Sequence, residues 1–257
     1  MSRRLLIAGN WKMNLDSRGA TALARAVKHE IVQRKLDRDV MLAPPYPYLD
    51  TVARALEGTP ILLAGQDLSR HESGAFTGEV SAGMLIDLGC HGTLVGHSER
   101  REHGGDTDDT VRAKLERAIR SGLSAVLCVG ESESVRETGA AASMAFVEGQ
   151  LAAALAGLTE EECAKALTIA YEPVWAIGTG KTASTSDAAA MHAHLRASVA
   201  NLYSEALASR LRILYGGSVN AANAADILGA SEIDGVLVGG ASLKIESFGT
   251  IYRAGAA

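Results

Sequence analysis

The chain has 257 residues, 47% apolar and 21% charged, which is enough apolar material to bury one large core. Its 25 basic and 30 acidic residues leave a net charge of −5, so it offers no polybasic surface to nucleic acid or to a membrane. Cys90, Cys128 and Cys163 are widely spaced and form no CxxC pair, which suits a reducing compartment rather than a disulfide framework.

Near its start the chain carries two arginines, Arg3 and Arg4, and then a four-residue apolar run that stops at Gly9. That run is too short for the core of a signal peptide, and no later stretch is long enough to cross a bilayer. The expectation is a cytoplasmic protein.

Short continuous apolar runs then recur at 5–8, 40–43, 61–64, 93–95, 125–129, 167–170, 213–214 and 236–238. They do not alternate with polar residues, so both faces are expected to be buried, as in a parallel sheet. Helical periodicity fills the spaces between them. Ala20, Leu23, Ala24, Val27 and Ile31 share one face; so do Val111, Leu115, Ala118 and Ile119, and later Ala188, Met191, Leu195, Val199 and Leu202. The run Asp106-Thr107-Asp108-Asp109 supplies capping and dipole-matching residues for the second of these helices. Eight strand signals alternating with helices, without a Pro/Gly/Ser-rich linker, predict an α/β fold: a single (β/α)₈ barrel over 1–257. A doubly wound sheet would need a glycine fingerprint after the first strand, and Gly9-Asn10-Trp11-Lys12-Met13-Asn14 lacks one.

In such a barrel the loops after the strands share one mouth. Asn10 and Lys12 follow the first run, and Gly96-His97-Ser98-Glu99-Arg100 the fourth. Gly130-Glu131 follows the fifth run and Glu172 the sixth. Tyr215-Gly216-Gly217-Ser218 and Gly239-Gly240 follow the last two. Pro173 keeps Glu172 out of the helical region. The segment beyond it, 174–184, carries glycines, bulky apolar residues and a lysine, as a closable loop over proton chemistry would. Lys12 reads either as a solvated cation or as a fixed charge for an oxyanion. His97 reads as a structural histidine or, if a helix starts at Ser98, as a neutral hydrogen-bond donor. Glu99 is placed to pair with Arg100 or Arg101, to anchor Lys12, or to sit near the reacting atoms. The glycine pairs are either plain turns or exposed N–H groups for a phosphate, with Ser218 adding a hydroxyl.

Other chemistries fail on spacing. His192 and His194 point to different helix faces, which leaves no metal cluster. In 178–182 (GTGKT) the first glycine of a P-loop would fall on Trp175. In 96–100 (GHSER) the fifth residue of a nucleophile elbow is arginine, and 216–220 (GGSVN) fails at the same place.

Read together, 9–14 (GNWKMN), 74–81 (GAFTGEVS), 95–101 (VGHSERR), 128–132 (CVGES), 170–181 (AYEPVWAIGTGK), 215–219 (YGGSV) and 238–243 (VGGASL) resemble the motifs of the triosephosphate isomerase family, in order and across nearly the whole chain. The resemblance implies interconversion of dihydroxyacetone phosphate and D-glyceraldehyde 3-phosphate through an enediolate, with no cofactor and no metal. It implies Glu172 as base, neutral His97 as electrophile, Lys12 and Asn10 as polar contacts, Glu99 as a supporting acid, and Cys128 as packing behind the base. It assigns phosphate binding to Gly178, Ser218, Gly239 and Gly240, and a latch for the closed 173–183 loop to Tyr215. It further implies a homodimer. The long stretch 66–80 already suggests contacts; Phe76 near its tip is expected to dock into a second subunit, with Thr77 reaching toward the partner's site. One departure is Asp67, where the family pattern leads one to expect asparagine; it is expected to touch only local interface detail. Another phosphosugar barrel, such as an aldolase or decarboxylase, would need a Schiff-base lysine or further acids at the strand ends. A non-enzymatic scaffold would be expected to lose Lys12, His97 or Glu172.

Overall fold

The computed structural model describes residues 3–177 and 183–255. Eight strands, β1 (Leu5–Asn10), β2 (Arg38–Ala43), β3 (Leu62–Gly65), β4 (Gly92–Val95), β5 (Ser124–Val129), β6 (Leu167–Tyr171), β7 (Arg212–Tyr215) and β8 (Gly235–Val238), pair in sequence order. They close into a barrel. Every pair is parallel, and β1 meets both β2 and β8. The eight expected runs each fall on a strand, although Ile61 lies just ahead of β3.

Both faces of the strands are buried, which is why the runs do not alternate. Leu6, Ala8, Met41, Ala64, Leu94, Val126, Cys128, Ala170, Leu214 and Leu237 fill the barrel interior. Their neighbours, such as Ile7, Leu42, Val95, Leu127, Ile169 and Ile213, pack outward beneath the helices. The helix Ser17–Arg34 buries Ala20, Leu23, Ala24, Val27 and Ile31 as the periodicity requires, and is capped by the Asp16 side chain.

One expectation is borne out with a refinement, and one changes. The cap of helix Asp108–Arg120 is Thr107, with Asp108 and Asp109 in its first turn; Asp106 is buried and turned to another partner. Leu202, the last residue of helix Thr185–Leu202, is 46% exposed. The chain leaves helical geometry at Tyr203, whose hydroxyl donates toward the carbonyls of Leu155 and Leu158 at 3.1 and 3.0 Å. Tyr203 thus ties down the end of this helix, where periodicity had placed Leu202.

His192 on the same helix is fully buried. It meets the Tyr171 ring edge-on and lies 3.2 Å from the Glu232 carbonyl through Nδ1. Burial pushes its pKa down to about 4, with Arg196 adding to the effect and Glu232 and Asp234 opposing it. Because the folded value lies below the unfolded one, the stabilisation is complete above about pH 6.5 and is lost as the pH falls toward 4. The difference is worth roughly 3 kcal/mol. Urea unfolding should therefore show His192→Asn losing less stability than the wild type between pH 7 and 4.5, by about 2 kcal/mol. Parallel losses in the two proteins would contradict this.

Candidate active site

The carboxyl ends of the strands surround a cavity of about 420 Å³ lined by Asn10, Lys12, His97, Glu172, Ser218, Gly239 and Gly240 among others. Seven of the expected site residues therefore share one space. Gly178 lies outside the described residues.

Lys12 arrives by an unusual route. Its φ of +52° places it in the left-handed region, which side chains other than glycine seldom occupy. The Asn10 Oδ1 accepts the Lys12 N–H at 3.0 Å. The ammonium then meets the Glu99 Oε1 at 2.5 Å. Of the alternatives for Glu99, anchoring Lys12 is the one observed. Burial opposes ionisation of Glu99, but the hydrogen bond and charge of Lys12 outweigh it, with smaller help from His97 and His103, and its pKa ends below the ordinary value. Arg101 instead pairs with Asp108 and donates to the Gly96 carbonyl.

His97 is the N-cap of the short helix Ser98–His103. The Glu99 N–H donates to its Nδ1 at 3.2 Å, so Nδ1 carries a lone pair and the ring proton belongs on Nε2. That Nε2 is 3.0 Å from the Glu172 Oε1. The second Glu172 oxygen accepts the Ser98 N–H at 2.8 Å. Glu172 itself is held at the β6 end, where its own N–H donates to the Val129 carbonyl, and is 2% exposed. An imidazole Nε2 facing a buried carboxylate is an arrangement suited to moving protons rather than binding bulk anions.

Glycines let the backbone close on these groups. A methyl at Gly216 would lie 2.9 Å from the Glu172 Cγ, and one at Gly239 would lie 3.2 Å from the Lys12 Cε. Either would push a site side chain from its place. Cys128 lies inside the barrel beside Glu172; burial first, and then the negative charge of Glu172, pushes its thiol well up, which leaves it inert packing.

Beneath Trp175, Glu131 reads in the sequence only as a residue after a strand. It is fully buried and accepts hydrogen bonds from the Tyr171 hydroxyl at 3.0 Å and the Trp175 Nε1 at 2.8 Å. Burial raises its pKa, with those bonds and Arg136 opposing. Ser218 donates to the Ala176 carbonyl at 2.8 Å. The Tyr215 hydroxyl faces the backbone of Ala183, and burial, opposed by that contact, pushes its pKa up to about 12. Among the described residues no cluster of three His, Cys, Asp or Glu is placed to hold a metal.

Asp67 lies outside the cavity but is more than an edge detail. Both its oxygens and both of Asp106 lie within 2.9 Å of the buried Lys114 ammonium. Arg100 joins at 2.9 Å from Asp67. Burial, more than it is offset by Lys114, raises the Asp67 pKa. Phe76 and Thr77 lie away from the cavity on an exposed loop, and the Phe76 ring stacks on His71 at 3.7 Å.

A carboxylate, an imidazole and an ammonium converging at the strand ends define a barrel enzyme equipped for acid–base chemistry. The family model for triosephosphate isomerase matches residues 5–255. The chain is 47% identical over 254 residues to the triosephosphate isomerase of Rhodopirellula baltica, covering 99% of this chain and 98% of that protein. It is 48% identical over 257 residues to that of Paracidovorax citrulli, covering all of both. With that of Thermus thermophilus the identity is 47% over 251 residues and 98% of each chain. The chain belongs to the triosephosphate isomerase family.

Proposed function

We propose that this protein interconverts dihydroxyacetone phosphate and D-glyceraldehyde 3-phosphate by moving a proton between adjacent carbons. The observation that carries the reading is the convergence of Glu172, His97 and Lys12 on one cavity in a chain of this family. Glu172 removes the proton from the carbon next to the carbonyl. The Nε2–H of His97 polarises that carbonyl and shuttles protons between the two oxygens. Lys12, steadied by Glu99, holds the negative charge of the enediolate, and Asn10 adds a second polar contact. Such stabilisation is strong only where water is excluded.

The phosphate is taken by backbone N–H groups of Gly239, Gly240 and Gly178 and by Ser218. Closure of the 173–183 loop dries the site and retains an enediol phosphate that would otherwise tend to eliminate phosphate. The contact of Glu131 with Trp175 holds the loop root, and Tyr215 latches its far end. An assay with glyceraldehyde 3-phosphate, coupled to enzymatic reduction of dihydroxyacetone phosphate, tests this; no turnover by the wild-type protein would refute it.

The working unit is a cytoplasmic homodimer in which residues 1–257 form one catalytic domain. No single helix among the described residues is long and apolar enough to cross a membrane. Met13, Phe76, Met84 and Ile86 are exposed on the segments that follow β1 and β3, a set that a second copy would cover. Replacing Phe76 and Thr77 together with aspartate should weaken the dimer by at least roughly 2 kcal/mol and yield poorly active monomers. An unchanged dimer in sedimentation would count against it.

A further inference from the structure

The left-handed turn at Lys12 needs a hold on both sides of its peptide. Asn10 supplies one by accepting the Lys12 N–H. The other comes from a residue that no sequence motif singled out as chemical. The side-chain amide of Gln66 donates one hydrogen to the Lys12 carbonyl at 3.0 Å and one to the Ala43 carbonyl at 2.8 Å. A primary amide has two N–H bonds, and both are used. Ala43 also accepts the Trp11 N–H at 3.1 Å, so the end of β2 and the residue just past β3 together clamp the loop that carries Lys12.

The next residue works on the other partner. Asp67 grips Arg100, which directly follows Glu99, and Glu99 holds the Lys12 ammonium. Gln66 and Asp67 therefore fix the two ends of one ion pair, Gln66 through the Lys12 backbone and Asp67 through the helix that bears Glu99. We infer that Gln66 is a positioning residue for Lys12, fixing the strained peptide so that the ammonium points into the cavity. Side chains of this kind matter because electrostatic stabilisation works only when the charge is placed in advance. The inference rests on the role proposed above for Lys12.

A double-mutant cycle separates positioning from mere structure. The kcat/KM of wild type, Gln66→Met, Lys12→Met and the double variant would be measured on protein of unchanged circular dichroism. Gln66→Met keeps the length of the side chain and removes both donors. It is expected to lower kcat/KM about tenfold, as for a buried hydrogen bond left unmade, and Lys12→Met about a thousandfold. The double variant should be no slower than Lys12→Met, because Gln66 has nothing left to position. Gln66→Asn, one methylene short of both carbonyls, gives a second route to the same cycle. A further tenfold loss in the double variant, or a wild-type rate for the Gln66 variants, would overturn the inference while leaving Lys12 in place. A wild-type rate for Lys12→Met would overturn both.

Discussion

Glu172→Ala should lower kcat by roughly 10⁴-fold, the upper end of what a positioned general base contributes. The carboxylate is 2% exposed, and among the described residues that line the cavity it is the one carboxylate. Glu99 cannot substitute, because its oxygen is committed to Lys12 at 2.5 Å. Glu172→Asp keeps the charge but withdraws it by about one methylene. Misplacement on the order of 1 Å costs about a hundredfold, so the aspartate variant should fall between wild type and alanine, with the loss in kcat rather than KM. Circular dichroism checks that the alanine variant still folds, because the Ser98 N–H and the His97 Nε2 lose their partner. A wild-type turnover no faster than that of the alanine variant would remove Glu172 from the reaction.

Lys114→Met should have the largest effect on stability. Lys114 is 5% exposed and lies within 2.9 Å of four carboxylate oxygens. Removing it leaves Asp67 and Asp106 buried as like charges, with Arg100 as the remaining cation close by. Breaking a buried pair from one side costs roughly 3–5 kcal/mol. The pH dependence has a definite sign. Asp67 already has a raised pKa through burial, and loss of Lys114 raises it further. A carboxylate whose folded pKa exceeds its unfolded value favours folding as the pH falls through the folded pKa. The gap between variant and wild type should thus narrow from pH 7 toward pH 5, and Asp67→Asn in the Lys114→Met background should recover part of it at neutral pH. Urea unfolding at fixed protein concentration checks this. A difference that is small, or that grows on acidification, would contradict it.

These two predictions lie on opposite sides of what the sequence makes legible. Glu172, His97, Lys12 and the glycine pairs sit immediately after buried runs, and a closed parallel barrel brings all strand ends to one mouth. Their meeting follows from topology, so position along the chain was sufficient. The runs themselves were readable because strands packed on both faces carry no alternation. Pairings across the barrel have no such local signal. Asp67 and Lys114 are separated by 47 positions, and a lysine in a helical segment normally reads as solvated. Asp106 looked like part of a cap because it stands beside Thr107, yet only the threonine accepts the helix N–H. The amide of Gln66 reaches Lys12 across 54 positions, and Glu131 receives Trp175 across 44. The layer of side chains that holds the site residues in place therefore has no signature along the chain. Its partners are chosen by geometry after the barrel closes.

In the proposed reaction a proton leaves one carbon for Glu172 and returns to its neighbour. The most direct measurement is turnover in deuterated water, followed by NMR of the carbon-bound hydrogens. A carboxylate that holds the proton between the two steps exchanges it with solvent in part, so deuterium should appear at carbon 2 of the glyceraldehyde 3-phosphate formed, and Glu172→Ala should lower turnover and the rate of incorporation together. Full turnover with no deuterium at either carbon would mean that hydrogen passes directly between them, and would contradict the account.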